Sequence, residues 1–241
     1  QKAVKTNYKQ NTTGVWNIDE SPLNGLPLKE DKAIYKNDAD SKITELYLTV
    51  KAGKNDRLQP IYTFDMLNSF TGEGEQPFCE VIFQEGKDGN GPSPGMFAFG
   101  ETMVNGKLET MGNISTIKKR SYQIKLYDRA GLWNSVRTIN LSKELPDLSR
   151  MKNKLGFDTV EQLSDVVGMR TRFMHVYVKD LSKDVKADSY EDMGLFTYIE
   201  QPNKAYLSAR DMDTDGNLYK AKNFNFSRNR DALRLADDEK Y

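Results

Sequence analysis

Three groupings of residues in this chain have types and spacings that chemistry requires. Asp211, Asp213 and Asp215 alternate and are followed by Gly216. That is the opening of a calcium loop, in which alternate carboxylates fold onto one ion and the glycine takes the sharp turn. The twelfth position of such a loop holds a bidentate glutamate and here is Lys222, so the same residues also fit a solvated Asp-Gly turn. Met111–Thr116 reads MGNIST. In it Gly112, Asn113 and Ser115 would let backbone N–H groups approach an anion, since glycine has no Cβ to hold the chain away; an ordinary hairpin turn uses the same residue types. Lys125 follows in a run where Tyr122, Ile124 and Leu126 share one face and Gln123 and Lys125 take the other. An ammonium on a rigid strand suits a phosphate, and a solvent lysine on a half-exposed strand is the plainer alternative. The neighbouring Lys118, Lys119 and Arg120 read as a solvated turn.

Other reactive types are scarce. Cys79 is the single cysteine and His175 the single histidine, too few for a zinc site or a Cys-His catalytic pair. Flanked by Phe78, Val81 and Ile82, Cys79 reads as a small buried hydrophobe, and no intrachain disulfide framework exists. Arg170 and Arg172 flank the start of a strand, suited to phosphate or to pairing with Asp165. Trp133 after Gly131 reads as a lid on a core.

These residues need elements to hold them. Alternation predicts strands at Lys42–Lys51, with Leu46, Leu48 and Val50 on the apolar side, and at Pro77–Gln84. A hairpin is expected over Leu108–Tyr127, and further strands at Arg137–Leu141, Phe173–Lys179, Gly194–Glu200 and around Asn217–Lys222. The clearest helix begins after Pro146, capped by Asp147 or Ser149, with Met151, Leu155, Val160 and Leu163 at helical spacing. A short helix is expected at Asn203–Ala209, and EGKDGNGPSP at Glu85–Pro94 is a loop on composition. Hairpin-length links outnumber crossover helices, so the expected class is α+β with a mainly antiparallel sheet and one or two packed helices. Residues 1–14 are polar and read as a mobile arm or as a strand lent to a neighbouring subunit.

Composition narrows the functions. Lys+Arg and Asp+Glu both number 35, so no bulk field exists to hold nucleic acid or an anionic membrane, and an anionic ligand must meet a local cluster. Counting glycine in and tyrosine out gives about 39% apolar residues, below the usual range, which predicts a thin core with long polar connections. No apolar run approaches transmembrane length and no signal peptide is present. Gln1 stands without a methionine, consistent with a removed leader or a trimmed chain.

From Met111 onward the sequence resembles the spore coat protein H (CotH) kinase family, a group of exported atypical protein kinases. Met111-Gly112-Asn113-Ile114-Ser115-Thr116 resembles its Arg-Gly-Asn-Ser/Thr-Ser turn, with methionine in place of the arginine. Lys119–Leu126 (KRSYQIKL) is similar to its Lys-Ser-Tyr-Lys-Ile-Lys strand, and Leu132-Trp133 with Thr138–Leu141 to the Trp and Leu-Asn-Leu strand that follow. Arg150–Asp158 (RMKNKLGFD) resembles the family's Arg-x-Arg-Asn-Lys-Leu-Ala-Tyr-Asp helix, and Arg170–Asp180 its next strand. Gly194–Lys204 is similar to Gly-Leu-Tyr-Thr-x-x-Glu-Gln, and Gly216–Lys220 completes the series. Seven pieces in one order over roughly half the chain make coincidence a poor explanation.

The resemblance implies an atypical kinase small lobe at residues 101–241, preceded by a β-rich extension with the polar arm at 1–100. It implies ATP and magnesium as cofactors of the complete domain, with Lys125 and the Gly112 turn facing phosphate. Asp158 would be the helical acid that steadies the lysine, or simply an i+4 partner of Lys154. Glu200 and Gln201 would form a hinge toward adenine, or merely end a strand. The family's catalytic and metal-binding aspartates lie further downstream, and the chain has no Trp-Asp-x-Asp segment. The expectation is therefore a nucleotide-side part without its catalytic half. Implied partners are surface or coat proteins phosphorylated on hydroxyl side chains, in a secreted or spore-surface setting, with homo-oligomers through the arm as an option. A non-catalytic surface or assembly protein reusing the fold is the rival expectation. Calcium-dependent adhesion through Asp211, Asp213 and Asp215 is a third.

Overall fold

Alternating apolar side chains need a common interior, and seven strands supply it here by closing into a barrel. The computed structural model describes residues 9–10, 16–17, 43–55, 57–72, 74–111, 120–144, 147–163, 166–183, 187–215, 218–221 and 233–235. The first elements are the short strands β1 (Lys9–Gln10) and β2 (Trp16–Asn17), then β3 (Thr44–Lys51), β4 (Gly53–Lys54) and β5 (Pro60–Tyr62). Helix α1 (Phe64–Ser69) is followed by β6 (Cys79–Gly86), β7 (Gly106–Met111), β8 (Ser121–Leu126) and β9 (Thr138–Ser142). Then come α2 (Lys152–Glu161), β10 (Thr171–Leu181), β11 (Glu191–Ile199), α3 (Lys204–Ser208), β12 (Tyr219–Ala221) and β13 (Leu233–Leu235).

Around the barrel the order is β3, β6, β7, β8, β9, β11 and β10. Six ladders are antiparallel, and the seventh, β3 against β10, is parallel and closes the ring. The interior holds Leu46, Leu48 and Val50 from β3, Val81 and Phe83 from β6, Ile124 from β8, Ile139 and Leu141 from β9, and Met174 and Val176 from β10. Each such side chain contributes about 1.5–3 kcal/mol by leaving water, and closure removes the unpaired edges of an open sheet. At one mouth α1 is stapled down: the Tyr122 hydroxyl donates to Asn68 Oδ1 at 2.6 Å, and Arg120 donates to the Asn68 and Phe70 carbonyls at 2.8 and 3.0 Å. Buried Trp133 closes the other mouth, edge-on to Phe83 and Tyr198, with its indole N–H donated to Glu85.

The mainly antiparallel α+β class is as expected, and most strand bounds fall within two residues of the expected ones. The structure adds three features. The sheet is closed rather than open, and three helices are present among the described residues. Two of the staves, β3 and β6, come from the first hundred residues and pair with β10 and β7 across the expected 100/101 division. The face of α2 also differs from expectation. Met151, Leu155 and Leu163, whose spacing predicts a buried stripe, are exposed; Lys154 is the shielded side chain of the helix, and Asp158, itself 41% exposed, accepts from the Thr171 hydroxyl at 3.3 Å.

The loop before α2 carries the expected cap. The Asp147 carboxylate accepts from the backbone N–H groups of Ser149, Met151 and Lys152 at 3.0, 2.9 and 2.8 Å, and from the Ser149 hydroxyl at 2.7 Å. Cys79 is fully buried, and burial pushes its thiol up to about 12. Of the polar arm, Lys9–Gln10 pair with Trp16–Asn17.

Candidate functional site

The strand β8 sorts its side chains as alternation demands. Tyr122, Ile124 and Leu126 are buried inside the barrel, while Gln123 and Lys125 are half-buried on its outer wall. Register then fixes the neighbours of each. Lys125 lies opposite Lys107 on one side and Thr138 on the other, and Gln123 lies between Glu109 and Asn140. Lys107 is itself engaged, with its ammonium 2.6 Å from Glu109 Oε1 and 4.2 Å above the Phe78 ring.

This outer wall is polar yet largely shielded: Thr138 is 2% and Asn140 6% exposed. A line of amides crosses it. Gln123 Nε2 donates to Asn140 Oδ1 at 2.8 Å; Asn140 Nδ2 donates to Gln201 Oε1 at 2.9 Å and to the Ile199 carbonyl at 3.2 Å. Gln201 follows β11, whose last residue pairs with Asn140, so it comes from the expected hinge. Sequence reasoning missed Gln123 and Asn140 as site residues. Their alternation in β8 and β9 was legible, but their meeting depends on cross-strand register.

Glu200, the other hinge residue, turns into a buried charge cluster. Its carboxylate accepts from the Arg170 backbone N–H at 3.0 Å and Arg170 Nε at 2.8 Å, and from Arg210 Nη1 and Nη2 at 3.3 and 2.7 Å. The Glu200 side chain is 0% and that of Arg210 1% exposed. Arg210 also donates to the carbonyls of Tyr206 and Gly168, and Arg170 to that of Asn134. The partner expected for Arg170, Asp165, lies outside the described residues. Asp158 pairs with Lys154 at 2.5 Å, one turn earlier on α2.

Gly112, Asn113 and Ser115 lie outside the described residues. The last pair of the β7–β8 ladder, Met111 with Ser121, is four residues from Lys125 along β8, roughly 13 Å at the usual strand rise. A second shielded ammonium, Lys143, stands at the end of β9, donating to the Met193 and Leu195 carbonyls and lying 4.1 Å over the Phe196 ring. Asp213 Oδ1 accepts from the Asp215 N–H at 2.8 Å, a local turn, and Asp211 has φ +53°. Among the described residues no three His, Cys, Asp or Glu side chains group in a way that could hold a metal ion. His175 Nε2 lies 2.6 Å from Asp192 Oδ1 on the outer wall, its ring stacked on Tyr177.

A family model described as CotH kinase protein matches residues 108–241. No curated protein and no solved structure matches the chain.

Proposed function

The chain belongs to the CotH kinase protein family, and from that premise we propose that it forms the nucleotide-binding side of an ATP-dependent phosphotransferase acting on hydroxyl side chains. The observation that carries this reading is the setting of Lys125. It projects from a strand fixed on both sides by ladders, away from the core and onto a shielded polar wall. Phosphoryl transfer is mainly positioning and charge neutralisation, so an ammonium held by a rigid sheet has a defined task. There Lys125 would neutralise and orient phosphate oxygens, while Gln123, Asn140 and Gln201 line the same wall. The turn containing Gly112, Asn113 and Ser115 is assigned to phosphate on sequence grounds.

A divalent ion would spread the developing phosphate charge. Its carboxylates are those that the family resemblance places further downstream, while Asp211, Asp213 and Asp215 are a separate proposal, for calcium. Coat or surface proteins are the proposed substrates, in an exported setting. Among the described residues no helix is long and apolar enough to cross a membrane.

Titration calorimetry with ATP tests the reading. Saturable binding is expected, weakened at least about tenfold in Lys125→Ala, a loss typical of a charge-assisted contact, with the melting temperature kept. ATP binding unaffected by Lys125→Ala would remove the lysine from the site. No ATP binding at all would favour a non-catalytic surface or assembly role, which the methionine at 111 in place of the family's arginine also suits.

A further inference from the structure

Helix α2 carries its apolar stripe on the side away from the barrel. Lys154 and the half-buried Phe157 take the inner side, while Leu155 is 62% exposed and Met151 and Leu163 stand exposed at the two ends of the helix. Leu148, almost fully exposed in the turn that Asp147 ties down, extends the stripe at the N-terminal end. Single exposed leucines are ordinary, but a row of them along one short element marks an interaction surface. Two further features bear on what covers it. Gly156 sits at the middle of α2, and a Cβ built there would meet nothing within 4 Å. A mid-helix glycine weakens its helix, and nothing among the described residues needs the missing side chain; a second backbone passing close by does. The helix also runs against its own dipole. Its first turn has no acid and carries Lys152, and its last turn has no base and carries Glu161. An antiparallel neighbour relieves both ends, because its negative end lies beside the lysine and its positive end beside the glutamate.

We propose that the chain pairs with a second copy of itself through this face, the two α2 helices lying antiparallel about a twofold axis near Gly156. A twofold pair needs one patch that complements itself, and the stripe is apolar on both sides of that glycine. The Leu148 and Met151 end of one copy meets the Leu163 end of the other. Lys152, exposed on the same side, lies four residues from the axis and so about 12 Å along the helix from its twin, further than the screening length at physiological salt. A parallel pair would set the two lysines side by side. Leu148, Met151, Leu155 and Leu163 together expose roughly 500 Å², so the pair would bury about 1,000 Å², the lower end for a specific interface. The dimer is therefore expected to be reversible, dissociating in the micromolar range. This pairing is independent of nucleotide.

Sedimentation equilibrium of the full chain, without nucleotide, tests the pairing in wild type, Leu155→Glu, Gly156→Ala and Leu58→Glu. Wild type is expected to dimerise reversibly, and Leu155→Glu to weaken the dimer at least about tenfold, as loss of a central apolar anchor does. The melting temperature of that variant in dilute solution should stay unchanged, since Leu155 is exposed in the single chain. Gly156→Ala carries opposite signs in the two states. Its methyl enters open space in the monomer and favours the helix, so the dilute melting temperature should rise, while the helices are pushed apart and the dimer weakens. A rise with no loss of association would mean that no second backbone approaches Gly156, and would overturn the proposal. Leu58→Glu changes an exposed leucine between β4 and β5 and should leave the dimer as it is. A dimer that survives Leu155→Glu, or is lost equally in Leu58→Glu, overturns the assignment of the face. A wild type still monomeric at about 200 µM overturns self-pairing and leaves the face to a different partner.

Discussion

Asp147 shows how much a single carboxylate fixes in this chain. The backbone N–H of Lys152, then the Ser149 hydroxyl, hold its carboxyl down at about 2, against an ordinary 3.8. A depressed carboxylate contributes stability that is fully present above its unfolded value and is lost as pH falls toward its folded one. The melting-temperature gap between wild type and Asp147→Asn should therefore be largest above about pH 4 and close by about pH 2; a gap that is flat across that range would remove the carboxylate from the cap. Cys79 gives a second residue-level expectation. Its thiol, raised to about 12 by burial, should resist a thiol reagent at pH 8 in the native protein and react only at the rate of unfolding. Both residues were legible in the sequence, because a cap and a buried thiol depend on near neighbours. The partners of Glu200 were not, since Arg170 is thirty residues away and its approach depends on the closed barrel.

Among the elements, the connection from β11 to α3 depends most on charge. Glu200 is paired with both Arg170 and Arg210, and removing one member of a buried ion group costs about 3–5 kcal/mol by leaving charge uncompensated. Glu200→Ala is expected to lower unfolding free energy by that amount in urea, and a loss below about 1 kcal/mol would mean that water reaches the arginines. Helix α2 marks where sequence pattern misleads. Its apolar spacing predicts burial of Met151 and Leu155, yet the helix lies with Lys154 shielded and these apolar residues outward. Helical periodicity finds a helix without saying which side the rest of the molecule offers it. Helix α1 went unexpected for the opposite reason: six residues are too few for periodicity, and its signal is the Thr63 hydroxyl accepting from the Met66 N–H.

At the scale of the molecule, the family match begins at residue 108, but the barrel does not. Without β3 and β6 the ring would lack Leu46, Leu48, Val50, Val81 and Phe83 from its interior, and β7 and β10 would expose open edges. A chain of residues 108–241 is expected to be insoluble or to lack a cooperative melt, whereas residues 43–241 should melt cooperatively. Cooperative unfolding of the shorter piece would show that five staves suffice. The strands themselves were legible from alternation; closure was not, because a sheet edge and a barrel seam have the same one-dimensional pattern.

The parallel seam also sets an order of events. Thr44 pairs with Met174, 130 residues later, so the first stave of the ring waits unmated on one side until nearly all the others have been made. A contact so distant along the chain is slow to form. On a ribosome the β3–β6 pair would emerge long before β10, with an adhesive edge open to any passing strand. Refolding should therefore be limited by a late zippering step, and yield should fall steeply with protein concentration unless a chaperone shields that edge.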